Sequence, residues 1–267
     1  MLGIGGGLMY TNYSEGGPAI QGSEYSINFD GTDGYVDTGD TYQSTFRDSF
    51  TISTWVNLVD GSPSGQGYLF GVTRNTVTPQ AGIHLRVAAG GKITFGLSAS
   101  SGGSTNTYLV TDNTVFANGQ TGWHNITLVT TLNSGADTTF ALYKNGVALD
   151  ITVSSGSVSA ANHAAYTCSD NLYIGVANIN GSATNFTDGN MDDFAIWDVA
   201  LDADAVAAMY NSGVPFDLTG DSGNYDNSGD LVGYWRFNEG NGTTALDTGG
   251  SNNATLTGGA TYSNDTV

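Results

Sequence analysis

The chain is short of positive charge: its 267 residues hold 6 Lys and Arg against 25 Asp and Glu, a formal net charge of −19. Phosphate binding needs clustered Lys and Arg, so the composition argues against a nucleic-acid partner. Glutamate is scarce too. Glu15, Glu24 and Glu239 are the only three, and the other 22 acids are aspartates. Glutamate favours helices, whereas aspartate favours turns, caps and calcium loops. Cys168 is the single cysteine, which excludes an intramolecular disulfide. No run approaches the roughly 18 apolar residues of a membrane-spanning helix. The opening MLGIGGGLMY lacks a basic stretch and a long apolar stretch, so export by the general secretory route is not expected.

What is present is the material of a β-protein. Hydrophobic residues reach 39% and aromatics 11%, with 39 glycines among Ser, Thr, Asn and Asp clusters. Such punctuation between β-branched and aromatic runs predicts many short strands, and an all-β sandwich of this length folds as one domain. Residues 1–22 read as a Gly-rich arm and 23–267 as the domain. Alternation is clearest at FTISTWVNLV (50–59): Phe50, Ile52, Thr54, Val56 and Leu58 share one face, and Thr51, Ser53, Trp55, Asn57 and Val59 the other. Further strands are expected at 67–73, 82–88, 91–98, 106–111, 123–132, 138–144, 147–153, 171–177 and 190–197. Asn145-Gly146 between FALYK and VALDITV supplies the two positive-φ residues of a type I′ hairpin. One segment differs, ALDADAVAAMYNSG (200–213). Leu201, Val206 and Met209 at near-helical spacing, Asp202 as cap and Gly213 as stop predict a short helix near 202–211.

Five blocks in order resemble the laminin-G-like branch of the concanavalin A-like jelly rolls. They are YSINFDGTDGYVDTG (25–39), FTISTWVNL (50–58), GWHNITLV (122–129), FALYKNGVALD (140–150) and the stretch from LYIG (172–175) through MDDFAIW (191–197) to the helix. The resemblance implies a two-sheet antiparallel jelly-roll sandwich. LVGYWRFNEGNGTTALDTGGSNNATLTGG (231–259) resembles a block that usually precedes the Asp-Gly turn. Its position here suggests that 231–267 is a circularly permuted block completing the sandwich, with a truncated second repeat as the alternative. About 30 residues cannot bury a core of their own, and Trp235 and Phe237 are expected to dock into the main one.

Catalytic constellations are not found. The glycosidases of this architecture resemble one another in a Glu-x-Asp-x-x-Glu strand, which three scattered glutamates cannot form. Asp192 and Asp193, adjacent on a strand, would point to opposite faces. His84, His124 and His163 make no metal pattern, and Cys168 has no flanking base. The expectation is therefore a binding or structural protein. The family resemblance implies a calcium ion held by Asp30, Asp33 and Asp193, although Asp193 stands where the family more often has glutamate. For sugars, which stack on exposed rings, the loop aromatics Tyr42, Tyr68 and Phe186 are the candidates, since the four tryptophans fall inside strand patterns.

Two functions follow. An extracellular type of domain without an export signal, disulfide or anchor suggests a bacteriophage virion protein, a capsid decoration, fibre or tail component. The Gly-rich arm resembles the starts of some marine phage structural proteins and would contact other virion proteins, the particle presenting host-surface glycan-binding domains as homo-oligomers. The alternative is a free lectin or cell-surface carbohydrate-binding module.

Overall fold

The computed structural model describes residues 22–61, 67–74, 81–98, 106–133, 135–156 and 159–267; the expected arm, apart from Gly22, lies outside them. Strands are numbered in chain order. The first sheet has eight strands among the described residues. Its order is β10 (Val147–Ala148), β9 (Thr139–Lys144), β8 (His124–Thr131), β3 (Phe50–Leu58), β15 (Asp188–Trp197), β1 (Ser26–Asp30) and β19 (Thr261–Ser263). The eighth, β16 (Leu231–Trp235), also pairs with β15.

The second sheet has eleven strands among the described residues. It runs β11 (Ile151–Ser155), β7 (Asn106–Thr111), β6 (Ile93–Ser98), β5 (Ala81–Val87), β4 (Gly67–Arg74), β12 (Tyr173–Ile174), β2 (Tyr35–Asp37), β18 (Ala254–Thr257) and β17 (Thr244–Ala245). β13 (Ala177–Ile179) pairs with β4 and with β14 (Ser182–Thr184).

The alternation in β3 explains how the sheets stack. Phe50, Ile52, Val56 and Leu58 enter the main core between the sheets, with Phe70, Ile83, Leu85 and Phe95 from the second. The opposite face of β3 is apolar in part because it too is covered. Trp55 packs on Tyr210 at 5.7 Å between ring centroids, beneath helix α2 (Ala203–Tyr210). Val206, Met209, Trp197, Phe216 and Tyr225 form a second core there. Asp202 caps α2 as expected, accepting the Ala205 N–H at 2.8 Å, but the helix stops at Asn211, whose φ of +45° takes the left-handed role expected of Gly213. A single further turn, α1 (Ala160–Ala164), precedes β12.

Asn145 and Gly146 have φ of +54° and +72°, the values a type I′ turn requires, and join β9 to β10. The strand expected over 147–153 divides instead. β10 stays with β9 in the first sheet, and after Leu149 and Asp150 the chain continues as β11 against β7 in the second.

The C-terminal block adds strands to both sheets: β16 to β15, β18 to β2 and β19 to β1. Trp235 and Phe237 are fully buried in the main core. β1 and β16 share one edge of β15, β1 against residues 188–191 and β16 against 194–197. At the seam between them β15 bulges between Asp192 and Ala195, and Asp193 has φ +46°. The inserted residue lets Met191 on one side of the bulge and Phe194 and Ile196 on the other all reach the same core.

Candidate functional site

At the end of the sandwich where β1 and β3 finish and β15 begins lies a cavity of about 380 Å³. Leu58, Val87 and Phe186 supply its apolar wall; Thr32, Thr187, Asp30, Asp60 and Asp188 supply oxygen atoms. Hydrogen bonds tie its segments to one another and to the strands. The Gly31 N–H donates to the Thr187 carbonyl at 3.0 Å, Val59 N–H to Asp188 O at 3.1 Å, and Thr187 Oγ1 to Tyr68 O at 2.8 Å. Gly31, at φ +68°, lies so close to Asp188 that a Cβ there would come within 2.9 Å of the Asp188 Cβ. Asp30 Oδ1 accepts the N–H groups of Thr32, Asp33 and Gly34 at 2.9, 3.0 and 3.0 Å, and these bonds hold its carboxyl below the usual carboxylate range. Asp60 Oδ1 accepts the Gly119 N–H at 3.0 Å.

Two of the residues singled out from sequence meet at this cavity: Asp30, expected as a metal ligand, and Phe186, expected as a sugar platform. The other assignments need correction. Asp193 is not beside Asp30. The residue opposite Asp30 is Asp188, and Asp193 lies five positions farther along β15, about 16 Å at the rise of a strand. Asp33 Oδ1 accepts the Gly259 N–H at 2.7 Å. Asp33 stays beside Asp30, and it is Asp193 that stands too far along β15 to share an ion with them; among the described residues no group of three or more His, Cys, Asp or Glu is arranged to hold a metal ion. Tyr42 is only 4% exposed and meets Trp235 edge-on at 6.2 Å. Tyr68, 7% exposed, is wedged against His84, with the Arg86 guanidinium over its ring and donating to its hydroxyl at 3.0 Å. Neither offers a free face to a sugar.

Asp192 and Asp193 form a different, sealed site at the seam of β1 and β16. They are 0% and 4% exposed. Tyr234 donates its hydroxyl to Asp193 Oδ1 at 2.6 Å, and Arg236 Nε lies 3.8 Å from the same oxygen while its NH1 reaches Asp217 at 3.4 Å. Asp192 accepts from Ser23 Oγ and from the Asp193 N–H. Burial pushes the Asp193 carboxyl up to about 6, against the opposing pull of Tyr234 and Arg236. Burial first, and then the Asp193 charge, raise Asp192 well above the usual range.

The sequence and fold can now be set beside known proteins. A laminin-G-type family model, described as the concanavalin A-like lectin/glucanases superfamily, matches residues 30–207. The chain belongs to this superfamily. Its fold recurs in a Bacteroides ovatus protein assigned as carbohydrate binding, with a TM-score of 0.58 and 18% identity over 91% of this chain and 60% of that one. This chain therefore spans less than two thirds of that protein. The CBM40 domain of the Ruminococcus gnavus IT-sialidase matches with a TM-score of 0.50 and 13% identity over 73% of this chain and all of that domain. At such identities the superfamily members share the fold. No curated protein matches the chain by sequence.

Proposed function

We propose that the domain is a non-catalytic carbohydrate-binding module, working outside a cell or on its surface, that takes its sugar in the end cavity. The observation that carries this is the cavity's two-sided chemistry. A ring face can pack on the half-buried Phe186, with the core residues Leu58 and Val87 behind it, while its hydroxyls donate to the carboxylates and threonines opposite, in a volume of about 380 Å³ that falls within the range of small-molecule sites. The carbohydrate-binding descriptions of two proteins with this fold support the same reading. Nothing in the fold or its relatives supports a place in a virion, so the lectin-like alternative is the better supported of the two. Hydrolysis is disfavoured at Asp30: a carboxylate held ionised by three N–H groups is a poor proton donor.

A glycan array followed by titration of the best ligand tests the proposal. Phe186→Ala should weaken binding about tenfold or more with an unchanged melting temperature. Failure of every sugar at millimolar concentration, or full affinity in the Phe186→Ala variant, would overturn it; release of reducing ends would replace binding with catalysis.

A further inference from the structure

Resting on the sugar-binding reading, the geometry points to an amino sugar, one bearing a free ammonium group, as the ligand class of the end cavity. Three carboxylates, Asp30, Asp60 and Asp188, line it, and none of its described lining residues is Lys, Arg or His. Phe186, half-buried over the core residues Leu58 and Val87, defines where a ring lies, so the charges bear on the substituents at the ring's edge. Asp30 contributes a fixed charge, because the three N–H groups on its Oδ1 keep it ionised. Asp188, exposed at the mouth, faces it across the β1–β15 register. A carboxylated sugar would bring a further negative charge among these three. A neutral sugar can hydrogen-bond to them but leaves their charge unanswered. An ammonium supplies three donors and the opposite charge.

The net charge of −19 attracts every cation at long range, so a local preference must be separated from a global one. Screening length provides one lever, about 10 Å at 0.1 M salt and 3 Å at 1 M. Position provides the other: Asp204, exposed at the start of α2, carries the same charge outside the cavity.

The experiment is calorimetric titration at pH 6 with a fully deacetylated glucosamine trisaccharide, its fully N-acetylated counterpart and 3′-sialyllactose. The deacetylated trisaccharide should bind about tenfold or more tighter than the acetylated one, with sialyllactose weakest. The ratio should fall toward unity in an Asp60→Asn/Asp188→Asn variant and stay unchanged in Asp204→Asn. Equal affinity for the first two sugars, or preference for sialyllactose, overturns the inference while leaving sugar binding intact. An equal drop in the ratio with Asp204→Asn also overturns it, by assigning the preference to the whole molecule's field. If none of the three sugars binds but others do on the array, the inference falls alone; if no sugar binds at all, it falls together with the function.

Discussion

Asp188 and Asp193 lie five residues apart on β15, yet one stands at the open mouth of a cavity and the other is sealed in the sandwich. The difference comes from their neighbours. At Asp188 the adjoining strand, β1, is ending and the chain turns away, so water reaches the carboxylate. At Asp193 β1 has given way to β16, and the C-terminal block covers the seam with Tyr234 and Arg236 while Ser23 closes on Asp192. Residue type is the same at both places. Strand pairing decides which acid stays open to water and which ties β15 to the last block.

Truncation to alanine should separate the two sites most sharply. Asp193→Ala takes from the buried Tyr234 hydroxyl its 2.6 Å acceptor, leaving the Phe216 carbonyl at 3.5 Å, removes a carboxylate from beside Arg236, and should cost about 2–4 kcal/mol. Asp188→Ala, at an exposed position, should stay within about 0.5 kcal/mol. Urea unfolding at pH 7 measures both. Similar losses would show that the seam is not the stapled region its geometry describes.

Titration gives a smaller contrast. Asp193 has a folded-state pKa raised from 3.8 to about 6, so the folded protein binds its proton more tightly. Its contribution to stability is full below about 3.8 and is lost as pH rises through about 6. His84 and His163, both lowered by burial to about 4, act oppositely in the same window: their contribution is full above 6.5 and is lost as pH falls through about 4. The informative quantity is therefore the difference between Asp193→Asn and the unaltered chain. Between pH 4 and 7.5 it should move in favour of the variant by about 1–2 kcal/mol, or about 2–8 °C in melting temperature. A difference that does not change with pH would mean that Asp193 folds as an ordinary carboxylate.

How much of this was legible beforehand follows the range of the interactions. The Asn145-Gly146 hairpin, the capping by Asp202 and the inward face of β3 depend on residues within a few positions of one another, and they read correctly. The bulge between Asp192 and Ala195 does not. Adjacent residues on a regular strand point to opposite faces, and the inserted residue shows only in the register of β15 against β3, opposite the place where β1 gives way to β16. The cavity was half visible for the same reason. Asp30 and Phe186 announce themselves as an Asp-Gly turn and a loop aromatic, but Asp60 and Asp188 become partners only through the register of β1, β3 and β15. Tyr42 looked like a loop aromatic and is one, but its φ of +47° turns the chain so that the ring enters the core against Trp235, from the far end of the sequence.

Asp30 supplies the finest test of the contrast, because it is an open-end acid with a structural duty of its own. Its Oδ1 gathers three N–H groups of the turn that follows β1, and the turn in turn sets one wall of the cavity. Removing the acceptor with Asp30→Ala should cost about 0.5–1.5 kcal/mol, less than at Asp193, because exposed N–H groups can bond to water instead. The pH signature should also be reversed. A carboxyl held below 3.8 contributes stability that is full above that value and lost as pH falls through its lowered folded value. The gap between Asp30→Ala and the unaltered chain, measured by urea unfolding, should therefore narrow between pH 5 and pH 3. Two aspartates on neighbouring strands would then titrate with opposite sign, one bound by backbone amides in water and one buried beneath a tyrosine. A gap that widens on acidification would instead place Asp30 with the buried acids and remove the distinction between the open end of the sandwich and the sealed seam on β15.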